Sequence, residues 1–306
     1  MTKERSYSFL SPSSGRVDRT ASDVLGIPRS VFSLPSLALF VNGVRAKKST
    51  TLKEGDRVEL SYTEEIFEGL RAQNIPLTII YEDDDILVID KAQGMTVHPG
   101  AGCTDGTVAN ALLSLYGEDF STSDDDLRPG IVHRLDKDTS GVMVIAKNRE
   151  AHLSLSKEFS EHTNEKYYAA IAKGFFTSTE GTIERRITRD RKNRKKFTVT
   201  DKMSEGRDAL TKYRVISQNS DYAFLRLRIY TGRTHQIRVH LLSIGHPILG
   251  DSIYSRPDPK VSDAKLMLHA ERIVFTHPRT GEKMVFRSPL PERFLTFLSK
   301  EGLEAE

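Results

Sequence analysis

The chain is expected to fold as an α+β protein, with a large mixed or antiparallel sheet flanked by helices and a small N-terminal α/β-type unit ahead of it. Three observations lead there. Apolar runs of strand length outnumber amphipathic helical stretches along the 306 residues. Strands and helices do not alternate strictly, as a doubly wound parallel sheet would require. A linker-like segment at 63–75, TEEIFEGLRAQNI, divides a compact unit at 16–62 from a much longer one at 76–303. The length suffices for one large core and one small one.

Residues 1–15 are Ser-rich and polar and are expected to be flexible. GRVDRTASDVLG then opens the small unit as a helix, IPRSVFSLPSLALF continues with a second helical patch, and Asn42-Gly43 marks a turn. A further turn at Gly55-Asp56 leads into Val58, Leu60 and Tyr62, whose alternation is that of a half-buried strand. Past the linker, Leu77–Tyr81 and Ile86–Ile89 are two strands split by acids. TVANALLSLYG at 107–117 has helical spacing and a glycine stop. A strand at Val142–Ala146 precedes a helix at 151–162, and strands follow at 167–173, 211–217 and 222–230. HQIRVHLLSIG at 235–245 is a helix, KLMLHAERIVFTHP and KMVFRSP close the sheet, and PERFLTFLSK ends the chain as a helix. The acidic run SDDD at 123–126 lacks the glycine and final glutamate of a calcium loop and is read as a solvated turn. No internal repeat is found.

Composition narrows the function classes. Hydrophobic residues at 38% and charged residues at 28% describe an ordinary soluble globular protein. No apolar run approaches the roughly 18 residues of a membrane span, and MTKERSYSFLSPSSGR has no apolar core of a secretory signal. Cys103 is the only cysteine, which excludes disulfides within the chain and cysteine-cluster zinc sites. A cytoplasmic monomer is the expectation. The net charge of +3 is small, but ERRITRDRKNRKKF at 184–197 carries eight Lys or Arg against two acids, whereas the tail KEGLEAE is acidic. Concentrated positive charge is the footprint of a polyanion partner, and a solvated loop would look similar.

Two charged knots stand out. In HRLDKDTSG, Asp136 has Arg134 and Lys137 as neighbours immediately before an apolar strand. Cations hold a carboxylate ionised, and an ionised carboxylate can attack an electrophilic carbon. A structural ion pair in a turn is the alternative reading of the same residues. The second knot, YTGRTHQIRVH, puts Arg233, His235, Arg238 and His240 where a strand gives way to a helix. Thr234 is placed to cap that helix, whose free N–H groups favour an anion, and Arg233 is placed to pair with a carboxylate from another strand.

Together, HRLDKDTSG and GRTHQIRVH resemble the motifs of the RluA-type family of RNA pseudouridine synthases. KAQGMTVHPG at 91–100, KYYAAIAKG at 166–174, GDSIY at 250–254 and LHA at 268–270 match in the family's order, so that the resemblance spans roughly residues 77 to 290. Gln93 departs from the family pattern, in which proline is common. Residues 16–62 resemble the S-four-type RNA-binding module through Arg16 and Asp18, VNG at 41–43, and Lys53, Gly55 and Asp56, with basic Arg45, Lys47 and Lys48 nearby. Pro28 and Pro35 depart from that module's usual helical surface.

The resemblance implies an isomerase that converts uridine to pseudouridine within RNA, without cofactor or metal. It assigns Asp136 as the nucleophile, Arg233 as its partner, Tyr168 as the ring packed on uracil and Arg134 as the filler of the gap left by the extruded nucleotide. Tyr167 and Tyr168 fall on opposite faces of a strand, so only one can line the pocket. The set expected on RNA also includes His133, Lys166, Thr234, His235, Arg238, Arg185, Arg191 and Lys195. Flipping the nucleotide costs a few kcal/mol, which aromatic and guanidinium planes offset by stacking. Large-subunit ribosomal RNA is the first expectation for the target, with transfer RNA as the alternative.

Rival readings are weaker. His235 and His240 are five apart, unlike the four-residue spacing of zinc helices. A glycosidase could pair Asp136 with Asp138, roughly 6–7 Å apart on an extended segment, but no apolar-pocket acid accompanies them. A non-catalytic RNA-binding protein would need the basic surfaces but not Asp136.

Overall fold

The computed structural model describes residues 2–65, 69–100, 103–117, 120, 128–193 and 195–305. The chain forms two compact units, Met1–Gly69 and Leu70–Glu306. The SDDD run and positions 66–68 of the expected linker lie outside the described residues.

The small unit contains β1 (Thr2–Leu10), β2 (Gly15–Arg16), α1 (Val17–Leu25), β3 (Ala38–Val41), β4 (Val44–Arg45), β5 (Thr51–Leu52) and β6 (Arg57–Glu65). Residues expected to be flexible instead form β1, paired antiparallel along its whole length with β6. Phe9 opposite Val58 and Tyr7 opposite Leu60 place this strand on the unit's core, a signal hidden by the serines between them. The second helical patch is corrected too. Only Arg29–Ser33 makes a 3-10 turn, and ALFV of β3 is strand, because Pro35 interrupts any helix and the Asn42-Gly43 turn folds β3 onto β4. The module-like residues serve structure. Asp18 is buried and accepts from Arg16 at 3.0 Å and Arg29 at 2.7 Å. Burial raises its pKa, but those guanidinium bonds outweigh it and hold the carboxyl at about 2. Asp56 accepts from Lys53 N and Asn42 Nδ2, closing the second turn.

The large unit runs β7 (Thr78–Glu82), β8 (Ile86–Lys91), α2 (Val108–Tyr116), β9 (Ser140–Ala146), α3 (Arg149–Glu161), β10 (Glu165–Lys173), β11 (Glu180–Glu184), β12 (Arg186–Arg189), β13 (Phe197–Thr200), β14 (Leu210–Gln218), β15 (Tyr222–Ile229), α4 (Gln236–Ser243), β16 (Leu268–Thr276), β17 (Lys283–Arg287) and α5 (Glu292–Glu301). Its main sheet has the order β11-β14-β15-β10-β16-β9-β8-β7, with β17 also on β16. The basic segment at 184–197 is largely β12 and its connection to β13 in a hairpin. None of the described helices is long and apolar enough to cross a membrane.

Continuous burial explains the apolar run in β9. Val142 and Val144 pack with Leu155 and Phe159 of α3, whereas Met143 and Ile145 pack with Val108 and Leu112 of α2. A strand covered on both faces cannot alternate polar and apolar residues. Each such aliphatic side chain contributes roughly 1.5–3 kcal/mol by leaving water. All pairings within this sheet are antiparallel except β9 with β16, where His269 meets Ser140 and Ala270 meets Gly141. A side chain at Gly141, whose φ is +121°, would overlap the Ala270 backbone. Only glycine lets the two strands approach there.

Candidate active site

The parallel junction positions the first charged knot. Asp136 lies just ahead of β9, in a loop whose carbonyls are held from inside the protein. Lys91, fully buried at the end of β8, donates Nζ to the carbonyls of Ala92 at 2.9 Å, Met95 at 2.8 Å and Lys137 at 3.2 Å. Burial lowers its pKa to about 8, with the charges of Asp136 and Asp138 pulling the other way. Gln93 Nε2 donates to the carbonyls of Asp138 and Leu266, both at 2.8 Å, tying the loop to the approach of β16. Proline at position 93 could make neither bond.

The Asp136 carboxylate, 17% exposed, opens into a cavity of about 500 Å³. Tyr168 of β10 lines the same cavity, and Ile229 and Leu268 complete an apolar side. Tyr167 points to the opposite face, where Arg272 sits 3.7 Å from its ring centroid. Burial, then the charge of Asp136, raises the Tyr168 phenol pKa, so the hydroxyl stays protonated.

The partner of Asp136 is Arg238, not Arg233. Arg238 Nη1 donates to Asp136 Oδ2 at 3.2 Å, while its Nε and Nη2 donate to Asp251 at 2.7 and 2.8 Å. Arg238 is about 5% exposed and Asp251 fully buried. Burial opposes the charge on Arg238, but the two carboxylates outweigh it and keep the group cationic. Arg233 also lines the cavity, but its Nε donates to the Asp208 carbonyl at 3.0 Å. The cause is local. His235 takes a left-handed backbone (φ 57°) at the start of α4, which separates Arg233 from the helical turn that carries Arg238. The same geometry removes Thr234 as a cap: His235 occupies the cap position, without a side-chain bond to the helix's own N–H groups. Gln236 anchors the helix start instead, accepting from Arg233 N and Thr231 Oγ1 and donating to Leu210 O and Thr211 Oγ1.

His235 faces Asp136, with Nε2 3.9 Å from Oδ2, and its Nδ1 is 2.8 Å from the Tyr254 hydroxyl. Burial lowers its pKa more than Asp136 raises it, which leaves a neutral ring near pH 7.

A family model described as RNA pseudouridylate synthase matches residues 85–243, a span that holds both charged knots. The chain belongs to the RNA pseudouridine synthase family. It is 45% identical over 271 residues to an uncharacterized RNA pseudouridine synthase of Aquifex aeolicus, covering 85% of this chain and 84% of the relative. It is 41% identical to the ribosomal large subunit pseudouridine synthase D of Borreliella burgdorferi, covering 84% of this chain and 78% of that one. Among solved structures, human RNA Pseudouridylate Synthase Domain Containing 4 superposes with a TM-score of 0.59 at 26% identity, covering 74% of this chain and 94% of that chain.

The synthase cavity gathers only part of the expected set. Arg134 is exposed at its edge, and Lys166 is buried in its wall. Burial, then the charge of Arg233, lowers the Lys166 pKa to about 8. His133 lines the cavity, but its Nε2 already accepts from Val144 N at 3.0 Å and its ring stacks on Phe159. Burial, then Lys166, pushes its pKa down to about 3, so it is neutral. His240 is also occupied, by Thr211 Oγ1 and the Arg185 carbonyl. Arg185 pairs with Asp201 and Arg191 with Glu205, Lys195 is exposed in the β12–β13 connection, and none of these three lines the cavity. Sequence reasoning missed Asp251 and Tyr254, both inside the quoted GDSIY segment, and Lys91, whose charge at the end of an apolar strand was the available signal.

Proposed function

We propose that this synthase isomerises uridine in large-subunit ribosomal RNA, with Asp136 as the nucleophile and Arg238 as the group that holds it. The carrying observation is Asp136 paired with a buried arginine inside the same cavity as Tyr168. A cavity of about 500 Å³ is within the size range that takes one small molecule. The nucleotide is flipped into it, the uracil stacking on Tyr168 and Arg134 filling the vacated place. Asp136 attacks the anomeric carbon or the uracil ring, the carbon–nitrogen bond breaks, and the base turns within the cavity. A carbon–carbon bond then forms between C5 and the anomeric carbon, the bond to Asp136 breaks and returns the carboxylate, and the proton lost at C5 is matched by one gained at N1.

The ribosomal target is supported by the relatives that carry that activity in their names. The small unit's exposed Arg45, Lys47 and Lys48 support an RNA contact there. Asp136→Asn tests the chemistry: pseudouridine formation is lost while RNA affinity stays within about threefold, and undiminished turnover refutes the role of Asp136. Pseudouridine mapping of cellular RNA with and without the protein tests the target. A site lost from large-subunit RNA is expected, and a site lost only from transfer RNA overturns that assignment.

A further inference from the structure

The face of the main sheet turned away from the catalytic cavity carries a second cationic surface. Neighbouring residues alternate across a strand, so Tyr168 and Ile229 line the cavity while Tyr167 and Arg228 face the other way. The strand registers place Lys212, Arg228, Tyr167, Arg272 and Arg287 in one continuous row across β14, β15, β10, β16 and β17. At the usual strand spacing this row is about 19 Å long. Arg214 opposite Arg226 begins a parallel second row, and the two rows flank a groove of about 700 Å³.

Three pairs here set like charges directly opposite each other: Lys212 with Arg228, Arg214 with Arg226, and Arg272 with Arg287. Such pairs destabilise a sheet. Internal carboxylates offset only part of the charge. Glu180 is 3.4 Å from Arg214, Glu271 is 3.3 Å from Arg226 and Glu165 is 3.7 Å from Arg228. Lys212, Arg272 and Arg287 have no carboxylate partner among the described residues. The buried Nε–H groups of Arg226 and Arg228 likewise lack an acceptor. Aromatic rings hold the cations in place: Arg228 lies 4.7 Å from the Tyr230 centroid, and Tyr167 sits between Arg228 and Arg272. A partly compensated, ring-braced row of cations is complementary to evenly spaced phosphates.

We infer that this reverse face binds the phosphate backbone of the substrate RNA at a segment remote from the uridine being modified. The inference rests on RNA being the substrate, and not on the role of Asp136. A sheet separates groove and cavity, so a short hairpin seated in the cavity cannot reach both, whereas a large folded RNA can pass around the edge.

The test uses the full chain carrying Lys212→Gln, Arg272→Gln and Arg287→Gln in an Asp136→Asn background, so that only binding is read. Two probes are compared over a salt series: a transcribed large-subunit ribosomal RNA and a 20-nucleotide RNA hairpin. The expected result is roughly tenfold weaker binding of the long RNA and a salt slope shallower by about 2, as three lost phosphate contacts require, with the hairpin unchanged within twofold. Unchanged long-RNA binding overturns the inference, as does an equal loss on both probes. If the triple variant does not fold, Lys212→Gln with Arg287→Gln, both on exposed side chains, gives the same contrast with a slope change of about 1.5.

Discussion

Arg238 Nη1 lies 3.2 Å from Asp136 Oδ2, joining two side chains 102 residues apart in sequence. Nε and Nη2 of the same guanidinium are committed to Asp251, so the arginine is held by one carboxylate while it holds another.

That arrangement makes Arg238 irreplaceable by another cation. Lysine cannot form the two-pronged bond to Asp251 and also reach Asp136. Arg238→Lys is expected to lower kcat about 100-fold or more with a smaller change in KM, whereas Arg233→Lys acts mainly on KM. Initial rates of pseudouridine formation decide it, and the opposite ranking would return the pairing role to Arg233.

Asp251 is fully buried, and its removal strands the Arg238 charge. Asp251→Ala is expected to destabilise the large unit by about 3–5 kcal/mol, read from the urea midpoint. The double variant with Arg238→Met should recover much of that loss, because no unpaired charge is left behind.

Lys166 gives the site a pH dependence. Its pKa is lowered to about 8, so the cation in the cavity wall is present at pH 7 and lost as pH rises through 8. RNA affinity should fall across that interval, and Lys166→Arg should move the fall to higher pH. The stability effect has the opposite sign. The unfolded lysine holds its proton to about 10.4, so this residue's contribution makes the fold more stable between pH 8 and 10.4. Affinity titrations from pH 6.5 to 9.5 that stay flat for the natural protein would remove Lys166 from RNA binding.

Gly141→Ala puts a methyl group into the Ala270 backbone at a left-handed position. A loss of about 3 kcal/mol or more is expected, since neither strain nor overlap can relax without separating β9 from β16. Equilibrium unfolding measures it, and a change below about 1 kcal/mol would show that the junction is more yielding than its geometry.

Much of this fold was legible because its signals are local. The apolar β9, the glycine stop after α2 and the Asn-Gly turn each declare themselves within a few residues. β1 did not, since its core side chains Tyr7 and Phe9 are spaced by serines and acquire meaning only opposite β6. In the site, motif resemblance located Asp136 and Tyr168, but it named Arg233 as the aspartate's partner where the structure pairs Arg238. That choice depends on the backbone sign at His235, a dihedral angle that neighbouring residue types leave open. Asp251 was hidden for a related reason: one buried acid in a five-residue motif looks like any turn aspartate until its partner is known.

The one parallel seam in the main sheet has a temporal meaning. Ser140 Oγ meets His269 Nδ1 at 2.9 Å across 129 residues, so the strand behind the aspartate stays unpaired on that side until residue 269 is made. A nascent polypeptide stopped short of residue 268 has Asp136 but neither the neighbouring strand β16 nor the Leu268 wall. Contacts so distant in sequence form late and slowly. Synthesis therefore completes the cavity late, only after residue 268 has joined the sheet beside β9.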